Sequence, residues 1–157
     1  TTYNNDWPGD TSVDVTVNIK VKTWVAIGFS TDSITLPDLD STKIHLNDNG
    51  TVTFDPLESE DAAKLLAATN YAGNWEVAVK RGEMTGLNGT LYIDWGSGYE
   101  ELTSNLQPIQ QNSTKGIIWK DSIKFKYQHA TINSENTTAM DEPGEKQIAV
   151  TFTVTTY

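Results

Sequence analysis

Of the residue types that carry out acid–base or nucleophilic chemistry, this chain lacks Cys and has only two His. Cysteine is absent, which excludes disulfides, thiolate metal sites and cysteine nucleophiles together. The two histidines, His45 and His129, stand apart in strand-like segments, and we interpret both as surface or edge residues rather than bases or metal ligands. No nucleophile-elbow, zinc-protease, phosphate-loop or dinucleotide-binding motif occurs. The sequence therefore predicts that the protein is not an enzyme.

Carboxylates are abundant, with 21 Asp and Glu residues. Two of them at a suitable separation could hydrolyse a glycosidic bond, although the sequence alone brings no pair together. Acidic groups at Asp38 and Asp40, at residues 47–49 and at residues 58–61 offer the oxygen ligands that Ca²⁺ prefers, but none follows the EF-hand pattern. We interpret these groups as solvated loop residues and predict neither a metal site nor a cofactor.

Four Asn-X-Ser/Thr sequences could accept N-linked glycans if a glycosylating cell exports the chain. Because the chain is rich in Asn and Thr, some of them arise by chance. The chain begins with Thr rather than Met, from which we expect that a preceding segment has been removed. We therefore expect a secreted protein, and its candidate glycosylation sites are Asn49, Asn88, Asn112 and Asn136.

Charge and length exclude several classes of protein. The net charge of −10 argues against binding to nucleic acid or to anionic lipid, both of which need clustered Lys and Arg. No segment approaches the roughly 18 to 20 consecutive apolar residues of a membrane span. A chain of 157 residues has the length of one ordinary domain with a single core.

Alternation of apolar and polar residues dominates the chain and predicts strands with one buried face. One helix is expected over residues 60–68, capped by Ser59. The pattern predicts an all-β fold, an antiparallel Ig-like or jelly-roll sandwich with at most one short helix. The predicted strands lie within residues 75–79, 91–95, 123–127 and 148–154, with shorter ones at 34–36, 43–46 and 51–54.

The longest alternating run lies near the start of the chain, and its apolar members are Val13, Val15, Val17, Ile19 and Val21. After a lapse at residues 22 and 23, the same phase continues through residues 25, 27 and 29. At roughly 3.3 Å per residue, a strand from residue 13 to residue 29 would span about 55 Å. A compact domain of this size is only about 40 Å across. One continuous strand of this length would therefore overhang its own domain.

Two arrangements resolve this conflict. In the first, the chain bends at residues 22 and 23, and the two halves of the run serve the two sheets of one sandwich. In the second, residues 11–21 project and complete the sheet of a neighbouring subunit. The second arrangement joins subunits head to tail and makes filaments, because the contact does not close on itself. Residues 1–10, which include Trp7, then form an irregular leader that packs against the recipient subunit.

The run from Val13 to Val21, followed by a short break and by residues 24–29, resembles the N-terminal arm and first strand of secreted pilins. These pilins assemble by donor-strand complementation, and they include colonisation-factor pilins and, more loosely, biofilm-fibre and bundling-pilus subunits of bacteria and archaea. Residues 74–79, 95–99, 143–144 and 149–155 look like their sandwich strands and turns. Colonisation-factor pilins have a proline at the hinge between arm and domain, whereas this chain has Lys22 and Thr23 there.

The resemblance implies a structural subunit of an extracellular, cell-surface filament that adheres to a host or neighbouring cell. The donor residues would be the five apolar residues from Val13 to Val21, and the partner would be an identical subunit. Residues 1–22 would form the leader and donor arm, and residues 23–157 the sandwich. The alternative is a monomeric secreted carbohydrate-binding or adhesin module, in which some of the five Trp residues stack on sugars. Four of these Trp residues lie in or beside strand patterns, so we expect most of them to be buried or half-buried.

Overall fold

A computed structural model describes residues 11–157, and these residues form an all-β protein. The two regular non-strand elements are short 3-10 turns at Ser41–Lys43 and Thr137–Ala139, and no α-helix occurs between residues 11 and 157. The strands are β1 (Val25–Phe29), β2 (Ile44–Leu46), β3 (Val52–Phe54), β4 (Leu57–Glu58), β5 (Ala63–Thr69), β6 (Trp75–Arg81), β7 (Thr90–Asp94), β8 (Glu100–Glu101), β9 (Gln107–Asn112), β10 (Gly116–Gln128) and β11 (Val150–Thr156).

All strand pairs are antiparallel. A six-stranded sheet has the order β1-β5-β10-β7-β8, with β4 also paired to β10. A three-stranded sheet has the order β11-β6-β9, and β2 and β3 form a separate hairpin. Strand β10 pairs with β5 from Gly116 to Ile123, with an irregularity between Lys120 and Ile123, and with β7 from Lys124 onward.

The two larger sheets pack face to face over one apolar core. Leu65, Ile93 and Ile118 from the six-stranded sheet are fully buried with Trp75 and Val77 from the three-stranded sheet. These side chains alternate with exposed or half-exposed ones along their strands, except in β6, where Ala78 between Val77 and Val79 is also buried. The predicted antiparallel β-sandwich is therefore confirmed.

The helix predicted over residues 60–68 is wrong, because most of this segment is strand β5 in the middle of the large sheet. Ala63, Leu65 and Ala67 face the core, while Lys64 and Leu66 face outward. Ala and Leu favour helices in isolation, but burial between two neighbouring strands overrides that preference. Ser59 caps no helix, and instead its Oγ accepts a hydrogen bond from the backbone N–H of Phe125 at 2.9 Å.

Two further strand predictions differ from the structure. Residues 34–36 form no strand, although Ile34 and Leu36 pack against the core from a loop. The last strand begins at Val150, two residues later than predicted, and Ile148 packs beside the core before it. In both places apolar side chains cover the sandwich without ladder hydrogen bonds, so burial produced the pattern that predicted a strand.

Candidate functional site

The segment of residues 11–22, here called the arm, projects from the sandwich. It forms no helix or strand, and every residue from 11 to 28 is exposed. Within the described residues, no hydrogen bond joins residues 11–21 to the rest of the chain. Lys22 is the first residue of the arm that makes such a bond. The five apolar side chains are Val13, Val15, Val17, Ile19 and Val21, which are 79%, 80%, 77%, 82% and 73% exposed. A stripe of this kind is typical of a surface that meets a partner.

The side chain of Asn70 fixes the point at which the arm leaves the sandwich. Its Nδ2 donates to the carbonyl of Lys22 at 2.9 Å, and its Oδ1 accepts from the backbone N–H of Trp24 at 2.8 Å. The hydroxyl of Thr69 donates to the carbonyl of Trp24 at 2.6 Å. Just before β1, the described backbone has no neighbouring strand to pair with. The amide side chain of Asn70 binds it there instead and holds the residues on both sides of Thr23. No local feature of the sequence indicates this role of Asn70.

Asn70→Ala should release residues 22–24, here called the hinge, while leaving the sandwich folded. Each lost hydrogen bond is worth about 0.5 to 1.5 kcal/mol, so amide exchange at Trp24 should become about 2- to 13-fold faster. Asn70→Asp is the matched control, since it keeps an acceptor for the Trp24 amide and loses only the donor to Lys22. Hydrogen exchange followed by NMR measures the effect. Unchanged exchange at Trp24 in Asn70→Ala would contradict the role of Asn70.

Among the described residues 11–157, two strands near the arm each leave one edge without a partner. Within that range, strand β1 pairs with β5 alone and begins one residue after Trp24, while β11 pairs with β6 alone. The free edge of each strand therefore presents backbone N–H and C=O groups that can bind another strand. These two edges belong to different sheets but lie on the same side of the sandwich, where β1 contacts β11.

The core is open between these two edges. Val25 and Ile27 of β1 lie opposite Thr69 and Ala67 of β5 and so share their core-facing side. Thr69 and Ala67 are 3% and 1% exposed, whereas Val25 and Ile27 are 50% and 41% exposed. The core-facing residues of β5, inside the sheet, are thus buried. The core-facing residues of β1, at the edge of the sheet, remain exposed to solvent.

Strand β11 shows the same incomplete burial from the other sheet. Phe152 and Val154 lie opposite Val79 and Val77, which are fully buried, yet both are only half-buried themselves. The ring of Phe152 stacks on Phe29 with 4.9 Å between centroids, which brings β1 and β11 together at one point. Away from that contact the two strands separate, and the core between them stays accessible.

The resulting groove has a volume of about 250 Å³. It is open to solvent and lined mostly by apolar side chains. The sequence did not predict it, because Val25 and Ile27 have the pattern of ordinary core residues and nothing local reveals a missing neighbour. We call this feature the groove, and its lining residues are Val25, Ala26, Ile27, Phe152, Thr153 and Val154.

A second, polar cavity of about 370 Å³ lies beside the end of β11. Asn74, Gln111 and Asn112 contribute amide groups, and Tyr157 contributes a ring that is 60% exposed. Trp75 also borders the cavity, but its indole is fully buried and donates Nε1–H to the carbonyl of Thr114 at 2.7 Å. The cavity therefore offers hydrogen bonds but no exposed indole on which a sugar ring could stack.

The Trp side chains of the described residues only partly follow the expectation that most are buried or half-buried. Trp75 is buried and Trp95 is half-buried against the core. Trp24 and Trp119 are 48% and 51% exposed. Trp7, which was assigned to the leader, lies outside the described residues.

The four candidate glycosylation sites differ in accessibility. Asn49 is exposed in the tight turn between β2 and β3, where its Oδ1 accepts from the Thr51 hydroxyl at 2.6 Å. Asn88 is exposed, but its Nδ2 donates to the carbonyl of Met140 at 3.3 Å. Asn112 and Asn136 are half-buried. Among the four, Asn49 therefore presents its side chain most openly.

Of the acidic side chains considered as Ca²⁺ ligands, Asp40 has a local structural role. Asp40 caps the turn at Ser41–Lys43 by accepting from the backbone N–H of Thr42 at 3.0 Å, and hydrogen bonds from the Thr42 side chain and backbone lower the pKa of Asp40. The carbonyl of Asp38 accepts from Lys43 Nζ at 2.8 Å. Between residues 11 and 157, no three His, Asp or Glu side chains lie close enough to hold a metal ion.

The interpretation of the histidines holds for one of them. His45 is exposed, with its Nε2 2.7 Å from Asp55 Oδ1. His129 is buried, and its ring stacks on Phe54 at 3.9 Å, so its assignment to a surface or edge is wrong. The cause is that the loop of residues 137–144 folds over it, and the backbone N–H of Asp141 donates to His129 Nε2 at 3.1 Å.

Asp141 ties the same loop to the sandwich through a closed set of hydrogen bonds. Its carboxylate accepts from the Tyr127 hydroxyl at 2.6 Å and from the backbone N–H of Asn88 at 2.7 Å. The Tyr127 oxygen also accepts from the backbone N–H of Gly89 at 2.8 Å. Burial, and then the hydrogen bond to Asp141, raise the pKa of Tyr127. These groups bind one another, so we assign the cluster a structural role.

The sequence matches no protein-family model and no curated protein sequence. Within residues 11–157, none of the structural elements is a helix of the length and apolar character that a membrane crossing requires.

Proposed function

We propose that this protein is the structural subunit of an extracellular filament, in which the arm of each copy occupies the groove of the next. The observation that carries the proposal is the coexistence, in one chain, of an exposed apolar stripe and an open apolar core. The stripe needs a surface on which to bury its valines and isoleucine, and no strand within residues 11–157 covers Ile27 and Val154 in the groove. Each of the two features supplies what the other lacks.

The arm is somewhat longer than strand β11, one of the two strands that border the groove. The apolar stripe covers nine residues from Val13 to Val21 and would span about 26 Å as a strand, at roughly 3.3 Å per residue. Strand β11 has seven residues and would span about 20 Å between its ends on the same scale. The apolar positions recur at every second residue, so one face of the inserted strand turns to the core and the polar face turns to solvent. Each buried aliphatic side chain contributes about 1.5 to 3 kcal/mol.

The hinge favours insertion into another molecule. To enter its own groove beside β1, the arm would have to reverse direction within residues 22–24. Asn70 holds this short segment on both sides of Thr23, next to the end of β5, and the hydroxyl of Thr69 holds Trp24 there as well. The arm therefore leaves its own sandwich and becomes available to a second copy.

Donation of this kind is head to tail, and each added copy presents a new groove or a new arm. The assembly therefore grows as a filament rather than closing as a two-fold dimer. The resemblance to secreted pilins supports an extracellular, cell-surface location and a role in adhesion or biofilm, as does the presence of exposed sequons such as Asn49. The role proposed is structural rather than catalytic.

Ile27→Asp should block the groove of the full-length chain. Ile27 is 41% exposed, so the charge should cost the isolated sandwich little, whereas an inserted arm would have to bury it unpaired. We expect subunit association to weaken by about 100-fold or more. Light scattering after size-exclusion chromatography and electron microscopy measure assembly, and circular dichroism checks folding.

Thr151→Asp is the matched control, because Thr151 is exposed on β11 and pairs on the outward-facing side with Lys80. The control should assemble as the unsubstituted chain does. The proposal fails if the unsubstituted chain stays monomeric at every concentration, or if Ile27→Asp assembles as well as Thr151→Asp.

A further inference from the structure

An exposed apolar patch lies on the outer face of the six-stranded sheet, on the side opposite the core. Its residues form two rows across β10, β5 and β1, because Trp119 pairs with Leu66 and Leu66 with Gly28, while Ile117 pairs with Ala68 and Ala68 with Ala26. We call these six residues the outer patch.

The outer patch has a raised side and a shallow side. Ile117, Trp119 and Leu66 are 65%, 51% and 47% exposed, although Ile118 between the first two is fully buried in the core. On β1 the patch contains only Ala26 and Gly28, and a Cβ added at Gly28 would meet nothing within 4 Å. The small residues therefore leave a shelf beside the larger side chains, on which a flat ring can lie.

We propose that the outer patch binds the leader, residues 1–10, of the neighbouring copy whose arm occupies the adjacent groove, with Trp7 as the main contact. This inference rests on the proposed function. Once the arm of one copy lies in the groove of another, the residues directly before it are covalently held at the surface of that recipient. The outer patch begins at β1, which borders the groove.

The leader is long enough to reach the outer patch. Ten residues span at most about 33 to 36 Å. An arm beside β1 lies three strand spacings from β10, or about 15 Å at roughly 4.8 Å each. Val13, the first apolar residue of the arm, lies six positions after Trp7, and six positions span at most about 20 Å. Trp7 can therefore reach Trp119 whichever end of the groove the leader emerges from.

The composition of the leader fits this surface. It contains two aromatic residues, Tyr3 and Trp7, and the latter is followed by Pro8, which limits the entropy lost on binding. Its two charged residues are Asp6 and Asp10, and it contains no Lys or Arg. On the recipient, exposed Lys64 is the next outward residue of β5 after Leu66. An acidic aromatic segment and an apolar patch beside a lysine are complementary.

The test uses a full-length recipient that cannot donate its own arm or leader, made with Val15→Asp, Val17→Asp and Trp7→Ala. Its groove and outer patch are unchanged. Two synthetic peptides, residues 11–22 and residues 1–22, are titrated into it by isothermal calorimetry. Burial of one indole predicts that residues 1–22 bind about 10- to 100-fold more tightly than residues 11–22.

Two substitutions locate the contact. Trp7→Ala in the longer peptide, or Trp119→Ser in the recipient, should remove most of the gain and leave the affinity of residues 11–22 unchanged. Ile117→Ser provides a second patch variant, and circular dichroism verifies that each recipient is folded. A gain that survives both recipient substitutions shows that Trp7 binds elsewhere and overturns the inference.

The remaining outcomes separate this inference from the proposed function. Equal affinity of the two peptides overturns the inference alone and leaves the outer patch to contacts between filaments or with sugars. If neither peptide binds, the arm does not use the groove, and both proposals are wrong.

Discussion

Replacing Val15 and Val17 with aspartate should convert an assembling chain into a folded monomer. The two side chains are 80% and 77% exposed in the isolated chain, so charges there cost the sandwich nothing measurable. In the assembled state the same positions would face the core of the neighbour. Loss of two apolar contacts removes about 3 to 6 kcal/mol, and burial of two carboxylates adds a further penalty. Association should weaken by at least about 1,000-fold, measured by sedimentation and electron microscopy.

The matched control places the same charges on the other face of the arm. Thr16→Asp with Asn18→Asp changes exposed polar residues that would remain in solvent after insertion. This control should still form filaments, although its midpoint concentration will shift modestly with salt because the chain is already acidic. Assembly of the Val15 and Val17 variant to the same extent as the control would show that the arm does not bind through its apolar face.

A mixture of two blocked chains extends this test. The arm-blocked variant keeps its groove, and the groove-blocked variant Ile27→Asp keeps its arm. Each alone should be monomeric, and together they should form a one-to-one complex that grows no further. A mixture that stays monomeric would contradict donation between copies.

Joining a second copy of residues 11–22 to the end of the chain after Tyr157 should produce a stable monomer. A Gly-Ser linker of about twelve residues has a reach of about 20 Å, which allows either strand direction in the groove. With the natural arm blocked by Val15→Asp and Val17→Asp, the added copy can only fill its own groove. Closing the core should add about 3 kcal/mol to the free energy of unfolding, or about 10 °C in Tm.

The control for this fusion carries Asp at the positions of the added copy that correspond to Val15 and Val17. It has the same length, linker and added backbone, so it should melt at the temperature of the chain without the fusion. Differential scanning calorimetry measures both. Equal melting temperatures for fusion and control would mean that the groove does not accept this sequence, whatever the behaviour of the arm in longer assemblies.

Much of the fold could be predicted from the sequence because burial in a sandwich alternates along each strand. Strands β6, β7 and β10 place Val77, Ile93 and Phe125 in the core, as the alternation requires. Ser59 as a helix cap, followed by Glu60 and Asp61, predicts a helix over residues 60–68, and only the neighbouring strands β1 and β10 determine that most of this segment is the extended strand β5. Local sequence does not encode those neighbours.

Of the two parts of the candidate site, only the arm could be predicted from the sequence. The arm is visible in the sequence, since its alternation extends beyond the length that one domain can bury, and its five apolar residues are exposed as a projecting segment requires. The groove depends instead on the fact that no strand of the described part of the chain lies beside Ile27 and Val154, and a missing neighbour leaves no trace in either residue. The contacts of Asn70 and the burial of His129 arise from residues distant in the chain and were likewise invisible.

The direct passage from the arm into β1 has a mechanical consequence. A tensile load applied to the arm passes through residues 22–24 into β1, along the axis of that strand. Strand β1 is paired with β5 over five residues from Val25 to Phe29, so the load shears these contacts simultaneously instead of unzipping them in turn. Asn70 keeps the pull aligned with the strand at its point of entry. A fibre built from this chain should therefore resist stretching far better than a chain of domains joined by loose linkers.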